Sequence, residues 1–398
     1  MRLWVDVLDA AGERLGDGPI RPQRVTVKRK LDGIGSFTVT VPASAPRAQL
    51  LTAGHTVVIW AHYGGQTREM GRGVVREVTT SESAGGAVLT AKGPDALEAL
   101  RRKSTLPGRV YDDQAVADVV SELAGLAGWT ANVDAVVGNV TLGFDGENVL
   151  KALRTVAETT GLHFRHETGT TLTFGALGAD TGLRLVQRSQ LPEDIYHNTL
   201  VVLIARIRQK ANAKDVVNWV IPRGRDGLTL EHSTRTSPYA VKSMSGPDGG
   251  TIYYLEDAAS VAAYGQIEQV VDFSEIEALG STAQDLENAA NTLYDAAAAW
   301  LAWRRDEQEI YSVRLRAPSV PVVIKPGDKV RLVYRGEVRD VTGTVRYLDV
   351  DALHWVLDVQ EVFGVEGHAV TVKLSNVDRQ ERDVAQLVAA AVEASGTR

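Results

Sequence analysis

Apolar side chains recur at every second position up to residue 105, at helical spacing from 106 to 182, and at every second position again from 183. A period of two buries one face of a strand, whereas i, i+3, i+4 spacing buries one stripe of a helix. The chain is therefore expected to be mainly β with α+β character. In VTVKRKLDGIGSFTVTVPAS, Val25 and Val27 mark one strand and Phe37, Val39 and Val41 the next, with LDGIGS supplying glycines for a hairpin loop. TVVIWAHY and GRGVVREVTT pair around GGQ, AVLTAKG adds a strand, and PDALEALRRK reads as a short helix with Pro94 near its start. Short strands ending in one helix suggest a sandwich or a small barrel over residues 1–105.

The middle segment, 106–182, reads as a small α/β module. Val116, Val119, Val120 and Leu123 form a helical stripe, with Asp112 or Asp113 as its cap. A second helix runs through Leu150, Leu153 and Ala157 to Gly161, and a hairpin with Phe164, Leu172 and Phe174 follows. From residue 183 to 366 a second β unit is expected. NTLVVLIARIRQ and VVNWVIPRG read as a long hairpin with KANAKD at its tip, 223–264 as a loop-like insertion, and 282–304 as a flanking helix. IKPGDKVRLVY is a proline–glycine turn feeding a half-buried strand of that unit. Residues 367–398 are a linker and a helix. Val377, Val384 and Ala391 are spaced by seven, with Leu387 and Ala394 at the complementary d positions, which fits a short coiled-coil seam and equally an amphipathic surface helix.

The chain has 398 residues, too many for one core, so two to four domains are expected. With no cysteine, disulfides, thiolate metal sites and cysteine nucleophiles are excluded together. A net charge of −7 argues against a general nucleic-acid binder. The N-terminus lacks a signal-peptide pattern, and the most apolar run, Thr199 to Ile207, is far shorter than a membrane span, so synthesis in a cytoplasm is expected.

Motifs for catalysis are weak. His163 and His166 have metal-like spacing, but on a strand they point to opposite faces. Glu275/Glu277, Asp306/Glu307/Glu309 and Asp349/Asp351 are paired carboxylates in contexts typical of solvated surface. GIGSFT lacks the third glycine and the following helix of a phosphate loop. No catalytic, cofactor or metal residues are assigned. Arg24, Lys28 and Lys30 lie on one side of a strand, opposite Val25 and Val27, as a solvated or subunit-facing side would.

The ordered set GIGSFTVTVPASAPRAQLLTAGHTVVIW, GRGVVREV, GPDALEALRRK, NVLKALRTVAETTGLHFRHETGTTLTFG, NTLVVLI, AAYGQIEQVVDF and KPGDKVRLVY resembles the baseplate hub, or tail-associated, proteins of long-tailed phages. The resemblance spans residues 1 to about 365. It implies two tail-tube-like barrel or sandwich units per chain, each with a flanking helix, and a homotrimer that forms a pseudo-hexameric ring. It also implies a virion location at the tail tip. Partners would be a distal tail protein or tube ring, a central fibre or spike and the tape measure protein, with DNA passing the lumen without specific binding. The acidic balance would suit such a lumen. Val377, Val384, Leu387 and Ala391 become candidate trimer contacts. A cell-wall hydrolase using one carboxylate pair, an adhesin using Trp60, Trp219 or Trp303, and the hub of a contractile injection machine are the alternatives.

Overall fold

A computed structural model describes residues 2–63, 65–83, 86–134, 138–190, 200–212, 216–316, 324–339, 345–364 and 367–378. The chain is mainly β. It opens with β1 (Arg2–Leu8), β2 (Arg24–Lys30), β3 (Gly33–Pro42), β4 (Thr56–Tyr63), β5 (Gln66–Val74), β6 (Glu77–Ser83), β7 (Gly86–Pro94) and the short helix α1 (Glu98–Arg101). Sheet β1-β4-β5 faces the array β2-β3-β7-β6 across a core that includes Val5, Val7 and Ile59 on one side and Val25, Phe37 and Val39 on the other. Full burial of each such side chain contributes about 1.5–3 kcal/mol.

The hairpin β2–β3 forms where expected, but its turn is only Leu31–Asp32, with Asp32 at φ 51°. The glycines of GIGS lie in β3 itself. A Cβ at Gly35 would come 2.0 Å from the Lys28 carbonyl oxygen and 2.6 Å from Asp95 Oδ2. Asp95 is buried there, accepting from Gly35 N at 2.7 Å and Leu97 N at 3.1 Å. Burial outweighs these two bonds and pushes its carboxyl up to about 7.

The middle segment contains β8 (Arg109–Ala115), α2 (Val116–Leu126), β9 (Thr130–Val133), β10 (Asn139–Phe144), α3 (Val149–Thr160), β11 (His163–Thr168) and β12 (Thr171–Gly175). Strand β8 pairs with β10, and β12 lies between β11 and β9. Asp112 and Asp113 do not cap α2: both belong to β8, and the helix starts after Ala115 without a side-chain cap. Asn148 caps α3, and Gly161 ends it at φ 68°, a left-handed turn suited to glycine.

The remainder comprises β13 (Asp180–Val186), β14 (Leu200–Asn212), β15 (Trp219–Gly224), β16 (Lys242–Ser245), β17 (Thr251–Glu256), α4 (Ala258–Tyr264), β18 (Glu268–Phe273), α5 (Ala283–Arg304), β19 (Gln308–Leu315), β20 (Lys329–Arg339), β21 (Val345–Gly364) and β22 (Gly367–Ser375). The expected hairpin of β14 with β15 does not form. Strand β14 pairs with β13 and β19, while β15 joins a separate sheet of order β16-β17-β15-β18. The segment 223–264, expected to be loop-like, therefore supplies strands and helix α4 to that sheet. Strands β20, β13, β14, β19, β22 and β21 pair in a closed ring, because β20 also bonds to β21. Tyr311, Val313, Val330, Val356, Val372 and Leu374 fill its interior.

Helices α1 and α5 were each expected to flank a β unit of their own. Instead Leu97, just before α1, Leu100 within it, and Leu293 and Tyr294 of α5 enter one cluster with α2 and α3. Helix α5 carries a capping box, Thr282 with Asp285, and is buried on more than one side, by Ala289, Thr292, Ala296 and Ala298 as well as by Ala290, Leu293 and Ala297. Alanines let neighbouring elements approach from several directions, so the helix acts as a core helix.

Polar bonds tie these parts together. Arg165 of β11 donates to Asp328 at 2.8 Å and to the Pro326 carbonyl at 2.9 Å, and Lys325 reaches Glu167 at 2.6 Å. The KPGD turn is thus anchored on the middle module, and Asp328 also accepts from Lys325 N at 2.9 Å.

Candidate functional site

Side chains considered for catalysis have structural partners. His163 is buried with Nδ1 2.7 Å from Asp32 Oδ2, Nε2 3.2 Å from Asp378 Oδ2 and its ring 5.3 Å from that of Trp355. His166 meets the Gly169 carbonyl through Nε2 at 3.0 Å, and burial holds it below the usual histidine range. The two rings occupy different surroundings, as the strand period requires. Asp349 and Asp351 pair with Arg335 and Arg331, Glu277 with Arg225, and Asp306 with Arg305. Trp219 stacks on Tyr254 at 4.0 Å, Trp303 carries the Arg304 guanidinium at 4.4 Å, and Trp60 is half-buried on β4. Among the described residues, no three His, Asp or Glu side chains are grouped to hold a metal.

The distinctive geometry is a run of strands in the order β14-β19-β22-β21-β2-β3-β7-β6, antiparallel at every step. It is one arrangement used twice. Strands β14, β19, β21 and β22 are ordered in space as first, second, fourth, third, and β2, β3, β6 and β7 follow the same permutation.

The seam between the quartets joins the third strand of one, β21, to the first strand of the other, β2. Strand β21 spans both units along one edge, pairing with β20 through Val345–Trp355 and with β2 through Asp358–Phe363. Acidic residues of β21 meet basic residues of β2: Lys28 lies 3.2 Å from Asp358 and Arg29 2.6 Å from Glu361. Burial alone would raise the Glu361 carboxyl, but Arg29 and His368 outweigh it and hold the group below its usual range.

At the two ends of the run the equivalent edges are open. Strand β6 pairs with β7 alone, and from Ile204 to Asn212 strand β14 pairs with β19 alone among the described residues. Strand β6 exposes Glu77 and Glu82, whereas β14 exposes Arg206, Arg208 and Lys210. The open ends thus repeat the acidic-to-basic polarity of the seam. Open edges of this length are a liability in a lone chain and a ready site of strand pairing.

One face of the run packs on the two β cores, and the registers define the other. Strand β2 contributes Arg24, Lys28 and Lys30 to it, and β14 contributes Arg206, Arg208 and Lys210. Lys92 of β7, Arg314 of β19 and Lys373 of β22 share the same face. Its acidic side chains are Glu77 and Asp358. The side of β2 was legible in the sequence. Its continuation on β14 is not legible in the sequence, because ARIRQ reads as part of a strand paired with β15, whereas the structure pairs it with β19.

Of the four residues expected to make trimer contacts, Val377 is half-buried, with its N–H donating to Ser375 Oγ at 3.2 Å. Val384, Leu387 and Ala391 lie outside the described residues.

No protein-family model matches this sequence, and no curated protein matches it. Solved structures do. The tail protein from Neisseria meningitidis MC58 is 17% identical, covers 94% of this chain and 97% of its own, and superposes with a TM-score of 0.59. The 43 kDa tail protein of prophage MuSo2 from Shewanella oneidensis is 13% identical, with 94% and 98% covered and a TM-score of 0.57. Prophage tail protein gp18 from Listeria monocytogenes EGD-e is 12% identical, with 98% of each chain covered and a TM-score of 0.55. The chain has the fold of these phage tail proteins. At such identities the likeness concerns the fold alone.

Proposed function

We propose that this chain is a structural, non-enzymatic hub protein of a phage tail tip, three copies of which close into a pseudo-hexameric ring. The observation that carries the reading is the repeated quartet. The seam β21–β2 joins a third strand to a first strand inside the chain, and β6 of one copy can make the same joint with β14 of the next. Such a head-to-tail contact closes a ring when the rotation permits. Three chains with two quartets each match a six-fold tube. In this reading residues 1–105 and 183–366 are the two tube-like units, and 106–182 the module between them. The ring links the tail tube or distal tail ring to a central fibre or spike and surrounds the path of DNA. The terminal segment, through Val377, Val384, Leu387 and Ala391, adds a clasp.

Solution mass by light scattering tests this on the full chain and on a version ending before Val377. The full chain is expected to be a trimer. Reversing β14 (Arg206→Glu, Arg208→Glu, Lys210→Glu) is expected to release monomers, and adding Glu77→Lys and Glu82→Lys to restore the trimer. A chain that stays monomeric at every concentration, alone and with tube or distal-ring protein, ends the reading. A trimer indifferent to the β14 reversal removes the strand joint.

A further inference from the structure

We propose that the free face of the eight-strand run is a contact surface for the phosphate backbone of duplex DNA. It deepens the ring reading, on which it rests only for turning this face toward a channel. Over the length where these eight strands pair with one another, the face presents nine basic side chains against Glu77 and Asp358, a net charge of +7 on a chain whose total is −7. The acidic balance expected of a lumen therefore lies elsewhere on the molecule.

Several of these cations are exposed, among them Arg24, Lys92, Arg206, Arg208 and Arg314. Others crowd one another. Burial, with repulsion from Lys28, Lys30 and Lys210, outweighs attraction by Asp358 and lowers the affinity of Lys373 for its proton. An anion arriving on the face relieves that repulsion. Between the cations stand hydroxyls, including Thr26, Thr38, Thr40, Thr90, Ser312 and Thr371, which can donate to phosphate oxygens.

The rest of the lining selects among polyanions. The aromatic that the registers place on this side, Trp355 opposite Ser375 at the end of β21, has its ring taken up by His163 at 5.3 Å and by the Lys329 ammonium at 4.4 Å, so the face offers no free platform on which unpaired bases could stack. A peptide bound for affinity requires apolar pockets for its anchors, and here the apolar side chains, Val88, Ile310 and Val362, stand singly among hydroxyl and basic groups. A duplex asks only for spaced positive charge and donors, without sequence readout.

The test is the salt dependence of binding between the full chain and a labelled random-sequence duplex, read by fluorescence anisotropy. The wild type is expected to bind at low salt, with log affinity falling linearly against log salt by about 0.9 per phosphate contact. Replacing Arg24, Arg314 and Lys373 by threonine, away from both open edges, is expected to reduce that slope by about 3. The charge-retaining Lys373→Arg is expected to keep it, and light scattering on the same samples reports the ring independently. A slope unchanged by the triple substitution overturns the proposal, as does a wild type that ignores the duplex while forming the trimer. Tighter binding of polyglutamate than of duplex at equal salt overturns DNA as the occupant. Duplex binding by a chain that stays monomeric supports this face and counts against the ring alone.

Discussion

The two quartets share one strand permutation but are backed differently. The first, β2-β3-β7-β6, is covered by the sheet β1-β4-β5. The second, β14-β19-β22-β21, is closed by β13 and β20 into a ring around its own core. What repeats is the part that meets a neighbouring quartet, and what varies is the support behind it. The seam teaches the same lesson in charge. Inside the chain, Glu361 on β21 is buried against Arg29 of β2, whereas at the ends Glu82 and Arg208 carry the same signs in solvent. A joint completed within one chain can bury its ions. A joint left for another copy has to keep them hydrated until the partner arrives.

The largest effect should come from breaking the internal joint. Glu361→Ala leaves the half-buried Arg29 without its partner and should destabilise the chain by about 3 kcal/mol, read from urea unfolding. If it costs no more than a substitution on an open edge, the seam is not the template for the ends.

A second effect separates the quartets by pH, because Asp95 stands behind the first and is raised to about 7. The folded chain keeps a proton there that the unfolded chain releases from about pH 4 upward. Asp95 thus favours folding fully below about pH 4, loses that advantage on the order of 4 kcal/mol as pH rises to about 7, and is flat above. Asp95→Asn should abolish the decline between pH 5 and 7. Glu361, held low, acts in the opposite sense: its stabilisation is present above its ordinary range near pH 4.5 and disappears as pH falls through its folded value. A wild-type urea midpoint that rises from pH 5 to 7 would contradict the buried state of Asp95.

The smallest effect belongs to the open edge. Glu82→Ala should change the stability of the isolated chain by no more than about 0.5 kcal/mol, since surface charges contribute little. The same change should still raise the concentration at which the trimer dissociates. Equal loss of stability and assembly would mean that β6 is not a free edge.

Much of the local structure was legible because its causes are local. Alternation located β2, β3, β4, β11, β12 and β20, and helical stripes located α2, α3 and α5. Gly161 marked the end of α3 where the chain needed a left-handed residue. The errors were about partners. Asp112 and Asp113 carry good capping side chains, yet β8 pairs with β10 and takes them into a strand. Strands β14 and β15 are apolar neighbours in sequence, yet β14 pairs with β19.

Local pattern along the chain was enough to specify a mainly β protein with a helical interlude, the turn before β20, and the basic side of β2. Those properties depend on backbone preference and on alternation over a few residues, which no distant contact needs to supply. Long-range packing made α1 and α5 share one core, gave β21 to two units, and brought basic residues from β2, β7, β14, β19 and β22 onto one face. Alternation states that a strand has an inside, but any strand edge offers the same hydrogen-bonding groups. Which edges meet is settled by the cores they bury and the charges they bring together.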